Sequence, residues 1–121
     1  MTLDEIVGAY CSAWNEKDET ARRSLLEKSW SEKGVYEDPS GVAPPGRAAL
    51  HAHIGQFHQD YPGAKIVLTS KPDQHHGKIH FTWRMVAADG TVAIDGRDFG
   101  ELDAAGRISH IVGFFGPPQP L

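Results

Sequence analysis

The sequence predicts an α+β domain in which three helices pack on a curved antiparallel sheet and enclose an apolar pocket. Three observations predict it. Helical periodicity is confined to the first half of the chain, period-two alternation fills the second half, and glycine-containing turns separate the alternating runs.

In the first helix Leu3, Ile6, Val7, Tyr10, Ala13 and Trp14 recur at helical spacing. Thr2 is its N-cap, and Glu5 three positions later completes a capping box. A second helix runs from about Asp18 to Ser29, with Ala21, Leu25 and Leu26 as its inward face. Gly34 to Asp38 reads as a short strand stopped by Pro39, and Pro44-Pro45-Gly46 reads as a loop. A third helix spans Arg47 to Asp60 and ends before Pro62-Gly63. Ile66 and Leu68 begin the strand-rich half. Ile79, Phe81, Trp83 and Met85 then alternate with His80, Thr82, Arg84 and Val86, and Ala88-Asp89-Gly90 supplies a hairpin turn. Val92 to Leu102 is the next strand, Ala105-Gly106 turns again, and Arg107 to Phe115 is the last. The order is α-α-β-α-β-β-β-β. One domain is expected over residues 1–116, with Pro117-Pro118-Gln119-Pro120 in a frayed tail, 117–121.

Bulk properties narrow the function. A chain of 121 residues suits one domain, and 40% hydrophobic content suffices for a core without metal or disulfide staples. The net charge of −4, with Lys and Arg scattered, offers no basic stripe for nucleic acid. The acidic start lacks the features of a secretory signal, and no apolar run is long enough to span a membrane. Cys11 is the only cysteine, so a reducing, cytoplasmic location is expected.

Long antiparallel strands coil, glycines such as Gly96 and Gly100 permit bends, and a curled sheet closed by helices leaves a concave space for a small apolar molecule. If Ile79, Phe81, Trp83 and Met85 face inward, the matching face of the next strand carries Val92, Ile94, Gly96, Asp98, Gly100 and Leu102. Asp98 is then a carboxyl in apolar surroundings, where burial raises its pKa and a neutral acid can donate a hydrogen bond. Asp95 points away by the same alternation. The expected pocket wall comprises Trp14, His53, Phe57, Phe81, Trp83, Met85, Ile94, Ile111 and Phe115. On the outer face Phe99, Val112 and Phe114, beside Arg84, Arg97 and His110, form an apolar strip suited to a partner.

Other chemistries find little support. His51 and His53 lie on different sides of one helix, His75-His76 sits in a turn, and no zinc-type spacing is present, so no metal is expected. Cys11 reads as a small buried hydrophobe, and neither a nucleophile elbow nor a phosphate-binding glycine loop occurs. His53 is an alternative acid or base at the pocket.

The element order, Ala9-Tyr10 on the first helix, Tyr36-Glu37-Asp38-Pro39-Ser40-Gly41 and Asp103-Ala104-Ala105-Gly106-Arg107-Ile108 carry a resemblance. Together they resemble the nuclear-transport-factor-two-like superfamily, in its branch of ketosteroid isomerases and SnoaL-like polyketide cyclases, from Leu3 to Phe115. The resemblance implies a cystatin-like roll, a cofactor-free reaction and a homodimer formed through the outer sheet face. It also implies three catalytic residues. Asp38, after a glutamate and before a proline, matches the base; Tyr10, eight residues before Asp18, matches the helix donor; Asp98, five residues before the Asp-x-x-Gly-Arg-Ile turn, matches the acidic donor. Ketosteroid isomerase keeps such an acid neutral to serve as donor. The chain departs from the pattern where supporting tyrosines are replaced by Trp30 and Ile54, which implies a weaker Tyr10 donor, and in a second helix a few residues longer.

Plainer readings stand beside these. Asp before proline is ordinary turn chemistry, Tyr10 fits a helix core, and Asp98 could pair with Arg97 or Arg107. The functional alternative is a non-catalytic ligand-binding or dimerisation module of the same fold.

Overall fold

The computed structural model describes residues 1–121. Three helices, α1 (Leu3–Asn15), α2 (Glu19–Ser29) and α3 (Arg47–Asp60), accompany seven strands. The strands are β1 (Trp30–Asp38), β2 (Gly41–Ala43), β3 (Lys65–Leu68), β4 (Asp73–His75), β5 (Lys78–Val86), β6 (Val92–Leu102) and β7 (Ile108–Phe115).

The local signals act where expected. The Thr2 hydroxyl accepts from the Glu5 amide at 3.2 Å while the Glu5 carboxylate returns a bond to Thr2. Asp18 caps α2 by accepting from the Ala21 amide at 2.8 Å. Gly90 and Gly106, both with positive φ, turn β5 into β6 and β6 into β7.

Strand order is β2-β1-β7-β6-β5-β3, with β4 paired beside β3 on β5. Every pairing is antiparallel except β1 with β7, which is parallel and departs from the all-antiparallel expectation. Alternation fixes which face a side chain takes but not which strand it sits beside. The β5-β6-β7 meander returns the chain alongside β1, and everything between serves as the long crossover that a parallel pair requires.

Four local details differ from the sequence reading. β1 begins at Trp30 rather than Gly34, because the chain leaves α2 directly into extended backbone and Trp30 pairs with Ile108. β2 and β4, three residues each, are too short to show a period. The inward face of α2 is Arg22, Leu26 and Ser29, with Leu25 half-buried against the core as expected and Ala21 only half-buried. Arg22 tolerates burial because its guanidinium donates to the carbonyls of Glu16, at 2.9 Å, and His51, at 3.4 Å. Val92 is exposed, because a register shift pairs it with Val86 and ends the inward face at Ile94.

The inward faces otherwise agree. Ile79, Phe81, Trp83 and Met85 are all buried, as is Asp98 opposite Phe81 on β6. Asp95 faces out and pairs with Arg84 at 2.8 Å. Val7, Leu26, Trp30, Leu50, Ile54 and Ile108 close the core between helices and sheet. No helix is long and apolar enough to cross a membrane.

Candidate functional site

Between α1, α3 and the concave face of the sheet lies a cavity of about 170 Å³ lined by 19 residues, 13 of them hydrophobic. Tyr10, Asp38 and Asp98 all line it, so α1, the end of β1 and the middle of β6 converge on one space. Trp14, His53 and Phe57 contribute from the helices, and Phe81, Trp83, Met85, Ile94 and Phe115 from the sheet.

Tyr10 is 3% exposed and its hydroxyl makes no hydrogen bond within the protein. Its ring stacks on Trp30, with centroids 5.6 Å apart, where the resemblance leads one to look for a polarising tyrosine. Ile54, the other replaced position, is fully buried. The hydroxyl is therefore a donor held in reserve. Burial, followed by the Asp98 carboxyl, pushes its pKa well above the usual value, and the nearby Trp14 indole, outside hydrogen-bond geometry, opposes the rise.

Asp98 is 5% exposed, and its Oδ1 accepts the Trp83 indole N–H at 2.9 Å. Neither Arg97 nor Arg107 reaches it; Arg97 donates to the Gly116 carbonyl and Arg107 to that of Glu27. Burial raises the Asp98 pKa to about 7; the Trp83 bond opposes that rise, and the carboxyl of Asp38 adds to it. The acid thus keeps its proton into the neutral range and has a free oxygen from which to donate.

Two glycines hold these groups in place. The Trp83 ring lies flat over Gly96, where an added Cβ would stand 2.1 Å from the ring, and this packing aims the indole at Asp98. Gly113 on β7 is the pairing partner of Asp98 on β6, and an added Cβ there would lie 3.1 Å from Asp98 Oδ1 and 3.3 Å from Asp38 Cβ. The bare backbone at Gly113 leaves room for both acids beside it.

Asp38 is part-buried and engaged on both oxygens. Oδ2 accepts the Tyr36 hydroxyl at 2.5 Å, and Oδ1 accepts the Ser40 amide at 2.7 Å and the Ser40 hydroxyl at 2.5 Å. A carboxylate offers about four lone-pair directions, so these three bonds leave one free for an incoming proton.

Residues 7–111 match the family of SnoaL-like domains, a span that contains all three of Tyr10, Asp38 and Asp98. The chain belongs to the SnoaL-like domain family. A SnoaL-like family protein from Agrobacterium tumefaciens strain C58 is 36% identical, with a TM-score of 0.88 over 97% of this chain and 100% of that one. A cystatin-like protein from Methylobium petroleophilum PM1 shares the fold at a TM-score of 0.76 and 18% identity, over 98% of this chain and 78% of that one. A protein of ketosteroid isomerase-like fold from Catenulispora acidiphila, solved with trimethylamine, does so at 0.73 and 16%, over 95% and 88%. No curated protein matches the chain in sequence.

The SnoaL-like domain differs from the expected pocket at one wall residue. Ile111 is fully buried but does not line the cavity; it packs into the core beside Gly100 of β6, where its Cδ1 would meet an added Cβ at 2.9 Å. Strand facing sends a side chain to the inner side of the sheet, and its position along the strand decides whether it reaches core or cavity. Several lining residues escaped the sequence reading: Cys11, Tyr36, Ser40, Gln56, Asp60, Tyr61, Ile66 and Leu68. Tyr36 was findable, since it lies two residues before Asp38 on the same strand face, and Asp60 follows His53 at helical spacing. Cys11 is buried as expected, and burial raises its thiol pKa to about 11, which makes it inert.

Proposed function

We propose that this SnoaL-like domain is a cofactor-free isomerase or cyclase that moves a proton within a small apolar carbonyl compound. One observation carries the reading: a buried phenol with no partner shares an apolar cavity with a buried acid and a second carboxyl. A buried hydroxyl without a partner costs stability and is informative for that reason. A substrate carbonyl oxygen placed against Tyr10 and Asp98 would satisfy both donors.

In this reading the free lone pair of Asp38 takes a proton from the carbon beside the carbonyl. The C–H electron pair moves into the C–C bond as the carbonyl π pair moves to oxygen. Tyr10 and Asp98 donate to that oxygen as its negative charge grows. The Asp38 carboxylic acid then returns the proton to a different carbon, and the electrons flow back from oxygen. Each donor of this kind contributes roughly 100- to 1,000-fold in rate. The Agrobacterium relative, described as a presumed isomerase, supports the direction of the reading.

The test is conversion of 3-cyclohexen-1-one to the conjugated enone, followed by ultraviolet absorbance. Asp38→Asn should lose conversion by at least about 100-fold, the scale of a positioned base, with an unchanged circular dichroism spectrum. Equal rates in wild type and variant would remove Asp38 from the mechanism.

The double engagement of Asp38 by Tyr36 and Ser40 favours a second reading, a ligand-binding module in which Asp38 only closes the β1–β2 turn. That module would bind the ketone yet leave its protons unexchanged in deuterium oxide. We also propose self-association through the outer sheet face, where Phe99 and Phe114 are each 45% exposed and pack at 5.9 Å, edge to face. Phe114→Glu should then turn a dimer into a monomer in sedimentation velocity; a monomeric wild type would refute it.

A further inference from the structure

We propose that the cavity takes a single-ring carbonyl compound bearing no negative charge, an inference that rests on the proton-transfer reading above. Size is the first argument. A cavity of about 150 Å³ holds one benzene molecule, and the space here is about 170 Å³. Its walls cannot easily retreat, because they are rings braced by other rings. Trp14 packs on Tyr36 at 5.3 Å and on Phe57 at 5.5 Å, Tyr10 is stacked on Trp30, and Trp83 is clamped between Gly96 and Phe115. Close-packed interiors of this kind resist added volume. A fused multi-ring substrate would have to leave most of its body outside the mouth, against Gln56, Asp60 and Tyr61.

Charge is the second argument. The lining contains three carboxyl groups, Asp38, Asp60 and Asp98, against a single imidazole, His53, and neither lysine nor arginine. A carboxylate or phosphate on the substrate would lose its hydration inside an apolar space and meet three acids, with only the His53 imidazole to offset them. A neutral carbonyl oxygen meets two donors.

The wild-type domain can be titrated with phenols, whose ring-bound oxygen mimics the enolate, while the fluorescence of Trp14 and Trp83 is followed. Four probes separate the arguments: phenol, 4-hydroxybenzamide, 4-hydroxybenzoate and the four-ring phenol 17β-estradiol. Phenol should bind, 4-hydroxybenzamide should bind comparably, and 4-hydroxybenzoate should bind at least about tenfold more weakly than its amide, since only charge distinguishes them. Estradiol should show no saturable binding. The proposal is overturned if benzoate equals benzamide, if estradiol binds more tightly than phenol, or if phenol does not bind. Failure of the proton-transfer reading looks different: the probes keep their order while 3-cyclohexen-1-one goes unconverted. An inverted order with conversion intact would defeat the present proposal alone.

Discussion

Replacing Asp98 by Asn should make the protein's stability much less dependent on pH, with the sign set by burial. In the folded state Asp98 holds its proton up to about 7, against an ordinary value of 3.8. The folded form therefore binds this proton more tightly than the unfolded form throughout that window. Below it both states are protonated and Asp98 costs nothing extra. As pH rises through the window the wild type loses about 1.4 kcal/mol per pH unit, approaching a total of about 4 kcal/mol. The Asn variant retains an oxygen for the Trp83 indole, which donates to Asp98 Oδ1 at 2.9 Å in the wild type, and has nothing to titrate. Urea unfolding of both proteins at about pH 5 and pH 8 isolates the effect. The variant's advantage over wild type should grow by about 3 kcal/mol between the two conditions, or roughly 10 °C in Tm. A difference that stays constant across the two pH values would refute the buried-acid argument, and with it the neutral donor.

Two further substitutions test the site from other directions. Tyr10→Phe removes a buried hydroxyl that has no partner in the free protein, so it should raise stability by about 1–3 kcal/mol in thermal unfolding while slowing ketone conversion roughly 100-fold; a destabilised variant would show that the hydroxyl has a structural partner. Gly113→Ala inserts a methyl 3.1 Å from Asp98 Oδ1 and 3.3 Å from Asp38 Cβ. It should separate the two acids and cost about 1–3 kcal/mol in urea unfolding, with at least a tenfold loss of conversion; unchanged conversion would mean that their spacing does not matter.

What the sequence disclosed and what it concealed divide along physical lines. Periodicity reports on facing, so the inward run from Ile79 to Met85 and the burial of Asp98 were legible from alternation alone. Pairing is not periodic. The parallel contact of β1 with β7 and the shift that exposes Val92 depend on where distant segments meet. Burial of Arg22 was concealed for a similar reason, since its partners are the carbonyls of Glu16 and His51 in other segments. Tyr36 was as legible as Asp98, because it stands two residues before Asp38 on β1 and alternation puts both on the cavity face.

The site gives up local stability at two buried polar groups. The Tyr10 hydroxyl lies buried without a partner, and the Asp98 carboxyl sits where its charged form is disfavoured. Neither arrangement helps the chain fold, and packing alone would be served as well by phenylalanine and asparagine. The surroundings instead keep both groups from escaping: Trp30 stacks against Tyr10, Trp83 pins Asp98, and Gly96 and Gly113 remove the side chains that would prevent either approach. A carbonyl oxygen entering the cavity would relieve both groups at once, and most strongly when it carries negative charge, because both are donors. Under the proton-transfer proposal, that dependence on developing charge is what would separate a catalytic pocket from a merely greasy one. It is also why Tyr10→Phe and Asp98→Asn should stabilise the fold, and why Tyr10→Phe should slow the reaction.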